Sequence, residues 1–85
     1  MKEVRILGVM IKEPSAGADK LQGILTKYGC SIRTRLGLHD IGNDNSEESG
    51  LLLLELIGDS KECLSLENEL QAIGNLDVQK MTFLR

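Results

Sequence analysis

The chain has 85 residues, 41% of them hydrophobic and 27% charged, which fits one globular domain over residues 1–85 and excludes a disordered, collagen-like or two-core protein. Aromatic residues make up only 2%, with Tyr28 and Phe83 the two rings, so a stacking platform for single-stranded nucleic acid cannot be built. The net charge of -3 is uneven: residues 1–39 carry seven Lys/Arg against three Asp/Glu, and residues 40–85 carry three against ten, an acidic second half that argues against direct nucleic-acid binding.

Glu3 to Ile11 reads Glu-Val-Arg-Ile-Leu-Gly-Val-Met-Ile, apolar at odd and even positions after Arg5. Such a run predicts a strand covered on both faces. Pro14 and Gly17 then break the strand and predict a loop. From Ala18 to Tyr28, Leu21, Ile24, Leu25 and Tyr28 recur on one helical stripe, and Gly29 predicts a left-handed stop. Ser31 to Leu38 alternates Ile32, Thr34, Leu36 and Leu38 with Ser31, Arg33, Arg35 and Gly37, which predicts an edge strand with one buried and one cationic face. His39 to Ser49 is polar and acidic and predicts an exposed connector.

Gly50 to Ile57 is a short leucine-rich run, apolar on both faces, and predicts a central strand. Asp59 is the expected cap of the next helix, with Glu62 three residues on. Cys63, Leu66, Leu70 and Ile73 form its inward stripe with Leu64 beside it, and Gly74-Asn75 ends it. Asp77 to Leu84 has strand composition. The order βαββαβ defines an α+β, ferredoxin-like alpha-beta sandwich: a four-stranded antiparallel sheet with two helices on one face. The helices can cover one sheet face only. The first and third strands are apolar on both, so the open face predicts self-association as a homodimer or tetramer.

Chemistry-bearing residues are sparse. His39 beside Asp40 and Asp44 lacks the ligand spacing of a zinc site, so no metal is expected. Cys30 and Cys63 read as structural free thiols without a catalytic base, so neither an enzyme nor a cofactor is expected. Pro14-Ser15-Ala16-Gly17 precedes a helix whose first amides are free to meet an anion. Arg33 and Arg35, read as sharing one side of their strand, add a clamp for a carboxylate. No apolar stretch reaches a membrane span and the start lacks a signal-like core, so the expected setting is cytoplasmic, away from membranes.

Tyr28-Gly29 followed by Ile32-x-x-Arg35-Leu36-Gly37-Leu38, the polar insert, the apolar third strand and the short length together resemble the small iron-only hydrogenase system regulators. These are ACT-like, ferredoxin-like domains related in fold to the C-terminal domain of nickel-responsive regulators. The resemblance covers essentially the whole chain and implies an oligomeric regulatory or ligand-sensing domain without catalytic activity. Nickel-sensing relatives use several His and a Cys, whereas this chain has one His, so nickel sensing does not transfer. ACT domains of amino-acid metabolism carry an Asp-x-Pro-Gly-like turn where this chain has Glu13-Pro14-Ser15-Ala16-Gly17.

The resulting expectation is a stand-alone ACT-like regulatory module that binds a small anionic metabolite at a subunit interface. Ser15, Gly17, Arg33 and Arg35 are its expected ligand-binding residues. The alternative is a ligand-free interaction subunit docking another protein through its sheet face or edge. A third reading, a metal sensor using His39 and a cysteine, has the least support. No helix-turn-helix or ribbon-helix-helix segment is present, so any transcriptional role requires a partner.

Overall fold

The computed structural model describes residues 3–11, 18–38 and 50–85. It contains β1 (Glu3–Ile11), α1 (Ala18–Lys27), a 3-10 turn (Gly29–Ser31), β2 (Ile32–Leu38), β3 (Gly50–Leu56), α2 (Ser60–Ile73) and β4 (Leu76–Leu84). The strands lie in the order β2-β3-β1-β4, with every neighbouring pair antiparallel. This is the expected βαββαβ topology, with the two doubly apolar strands at the centre of the sheet.

Strand periodicity places every second side chain on the same face, and cross-strand partners share it. Leu7 lies opposite Leu54 and Val9 opposite Leu52; all four are buried with Leu56 under the helices. The helical stripes supply the rest: Leu21, Leu25 and Tyr28 from α1, Cys63, Leu66 and Leu70 from α2. At about 1.5–3 kcal/mol for each fully buried large aliphatic side chain, this layer is the main source of stability. Leu64, beside the α2 stripe, is exposed. Glu67 is buried instead, with its carboxylate 3.4 Å from Lys80 Nζ on β4.

The helix ends follow local rules with one exception. The Asp59 side chain caps α2 by accepting the Lys61 amide at 3.0 Å. Gly74 (φ 78°) and Asn75 (φ 58°) turn the chain into β4 through left-handed backbone. Gly29 does not make the expected left-handed stop. The buried Tyr28 ring anchors the end of α1, and the chain tightens into the 3-10 turn, in which the Ser31 amide donates to the Tyr28 carbonyl at 2.8 Å.

β2 also departs from simple alternation. Ile32 pairs with Leu56 but Thr34 pairs with Glu55, so Arg33 is an extra, bulged residue. The bulge switches faces: Arg35 lies opposite the core residue Leu54, while Thr34 and Leu36 join the open face, where Leu36 is exposed. No helix among the described residues is long and apolar enough to cross a membrane.

Candidate functional site

Three regions carry features that the core does not need. The first is the sheet face opposite the helices. The register aligns Leu36, Leu53, Gly8 and Gln79 in one row, with Thr34, Glu55, Ile6 and Met81 beside it. Leu51 and Met10 extend the surface in one direction, and Val4 and Phe83 in the other. Leu36 and Phe83 are each 49% exposed and Met81 54%. The result is a largely apolar surface across all four strands, broken by Gln79 and by the hydrogen bond that Thr34 Oγ1 donates to Glu55 at 2.9 Å.

The second region is a cleft of ≈ 820 Å³ at the end of the sheet where β1 and β2 begin and β3 ends. Arg5, Arg33 and Arg85 line it, together with Ser60 at the start of α2. Gly58 makes the tight passage from β3 to α2 at φ 90°, a conformation that disfavours any side chain. Arg5 donates through Nη2 to Glu3 at 2.7 Å. Its Nε and Nη1 are buried and meet no acceptor among the described residues. The buried Cys63 thiol donates to the Ile57 carbonyl at 3.5 Å, and burial pushes its pKa up. Cys30 is exposed, and both cysteines are free.

The third region is the contact between the two helices. Glu69 on α2 accepts hydrogen bonds from the Tyr28 hydroxyl and, at 2.9 Å, from Lys27 Nζ. The ammonium also lies 5.3 Å from the centre of the Tyr28 ring. Hydrogen bonding to Tyr28 and then Lys27 holds the Glu69 carboxyl below its ordinary value, and the same bonds raise Lys27 and Tyr28. This cluster joins the helices and leaves no unpaired acid or base for chemistry.

Of the expected ligand residues, Arg33 and Arg35 are both exposed on β2. Arg33 lines the end cleft and Arg35 does not. Ser15 and Gly17 lie outside the described residues, as does His39. Ile11, the last described residue before that loop, pairs with Gly50 and Leu76 at the opposite end of the sheet from Arg5, about 20 Å away along the strand. Among the described residues no group of three or more His, Cys, Asp or Glu side chains could hold a metal ion. Arg5 is the residue that pattern reading passed over. Its signal was present: it is the single charge inside the run from Val4 to Ile11.

No family model and no curated protein matches the chain. Solved structures do. The uncharacterized protein TM1266 from Thermotoga maritima superposes with a TM-score of 0.80 at 17% identity, over 98% of this chain and 100% of that one. The ACT domain of GTP pyrophosphokinase from Chlorobium tepidum gives 0.64 at 13%, covering 92% and 96%. CPII from Thiomonas intermedia K12, bound to ADP, AMP and acetate, gives 0.56 at 10%, covering 100% and 94%. At these identities the likeness establishes the fold, which is ACT-like.

Proposed function

We propose that this chain is a stand-alone ACT-like regulatory module of the iron-only hydrogenase system regulator type. It works as an assembly of identical copies and senses a small anionic metabolite. The observation that carries the reading is the open sheet face, on which Leu36, Met81 and Phe83 stand about half exposed in a largely apolar surface. Isolated exposed leucines are ordinary, but a surface spanning four strands is the mark of an interface. A second copy is the simplest cover, because a two-fold axis lets one patch meet itself.

Two further observations support sensing over a purely structural role. The same fold serves an ACT domain in a GTP pyrophosphokinase and a PII-like protein, CPII, seen with ADP, AMP and acetate. The edge strand presents Arg33 and Arg35 as cationic donors. The reading assigns the chain no catalytic role.

Native mass spectrometry of untagged protein tests the assembly, with Met81→Lys as the comparison. The expected result is a dimer or tetramer for the parent and a folded monomer for the variant. A parent chain that remains monomeric at micromolar concentration removes the assembly. It transfers the apolar face to the alternative reading, a subunit that docks a different protein.

A further inference from the structure

Arg5 occupies a costly position. Its side chain is only 13% exposed, and one of its three nitrogens meets Glu3 while the other two are buried without an acceptor among the described residues. A buried donor left unpaired is costly, and more so when charged. An apolar residue would satisfy the helix-side position, because Arg5 lies between Leu56 and Thr82 in the sheet. Its neighbours in the cleft repeat the theme. The β2 bulge takes Arg33 out of the regular ladder and leaves it lining the same space, and bulges of this kind re-aim side chains beside functional sites.

We infer that this cleft is a binding site for a small organic acid with one negative charge, held by Arg5 and Arg33 and backed by Arg85 and Ser60. The charge follows from the walls. Among the described lining residues, three arginine side chains stand against Glu3 and Glu55, a surplus of one positive side chain that matches one anionic group and leaves a second without a counter-charge. The ligand's body follows from the rest of the lining: Val4, Leu56 and Ile57 offer an apolar wall, and ≈ 820 Å³ is ample for a small metabolite. The forked guanidinium geometry favours a planar carboxylate head.

The inference shares with the proposed function the sign of the ligand's charge and the use of Arg33. It places the ligand at the end of the sheet away from Ile11, and uses side chains of one copy. The test is an amide NMR titration of the full chain with sodium 3-methylbutanoate, and with acetate, citrate and inorganic phosphate as comparisons.

Saturable shifts at Arg5, Ile57, Gly58 and Ser60 are expected with 3-methylbutanoate, with weaker binding of the other three. Arg33→Ala, an exposed edge-strand change that leaves the core untouched, is expected to weaken binding at least tenfold. Absence of saturable shifts overturns the site, as do shifts confined to Ile11, Gly50 and Leu76 or undiminished binding by Arg33→Ala. Phosphate or citrate binding as tightly as 3-methylbutanoate overturns the ligand class. A monomer that gives the expected shifts keeps the cleft and removes the assembly; an oligomer that gives none does the reverse.

Discussion

Leu53 and Leu54 are consecutive residues of β3 with identical side chains, yet Leu54 is fully enclosed and Leu53 is only half-buried. The difference lies in what faces each of them. On the helix side, Leu54 pairs with Leu7 and belongs to a core with Leu66 and Leu70, built by elements far apart in the chain. On the open side, Leu53 has in-sheet neighbours Leu36 and Gly8 and nothing stacked above them among the described residues. One composition therefore gives a core where the chain supplies a second layer, and a sticky surface where it does not. The helix face is where this chain's stability resides, and the open face is where the proposed assembly would form.

The sharpest way to break this comparison is to truncate one residue on each face. Leu54→Ala removes a wholly buried side chain from the centre of the sheet and is expected to cost about 2–5 kcal/mol. That is a large part of the ~5–15 kcal/mol available to a small domain. Urea denaturation measures it, and a loss below about 1 kcal/mol means that the helix face is not the core. Leu36→Lys, on the open face of an edge strand, is expected to change monomer stability by no more than about 1 kcal/mol. It is also expected to abolish assembly, because it would bury an unpaired charge in the apolar face. Analytical ultracentrifugation alongside the urea series reads both effects. A Leu36→Lys protein that assembles like its parent rules out the open face as the interface.

Most of the fold was legible because its signals are local. The run from Glu3 to Ile11, the stripe Leu21-Ile24-Leu25-Tyr28 and the Asp59 cap each depend on residues close in sequence, and the corresponding elements appear where expected. What escaped depended on contacts between distant segments. The β2 bulge is set by pairing with β3, so alternation alone put Thr34 and Leu36 on the buried side. Gly29 suggested a left-handed stop, but the burial of Tyr28 and the hydrogen bond from the Ile57 amide to the Ser31 carbonyl hold the chain in a 3-10 turn. The end cleft was invisible for the same reason. Arg5, Arg33, Ser60 and Arg85 come together only once four separate elements have converged.

The smallest expected effect concerns how the two helices are joined above the core. Glu69 is held below its ordinary pKa, 4.5, first by the Tyr28 hydroxyl and then by Lys27. A depressed acid contributes stability above that ordinary value and loses it as pH falls through the folded one. Lys27 and Tyr28 are raised from 10.5 and 10.0, chiefly by their hydrogen bonds to Glu69. Raised groups contribute stability that is fully present below those values and lost as pH rises through the folded ones. The cluster therefore supports the fold on a plateau between the two limbs. Tyr28→Phe keeps the buried ring and deletes the first cause of the Glu69 shift. It should lower Tm by a few degrees on the plateau. Its acid limb should be shallower and end nearer the ordinary carboxylate value, and its alkaline limb should be shallower. What then remains is the exposed Lys27–Glu69 pair, so the residual pH dependence should weaken further in high salt. Tm profiles across pH for the parent and the variant check this directly. Superimposable profiles would mean that the helices are held by their apolar stripes alone.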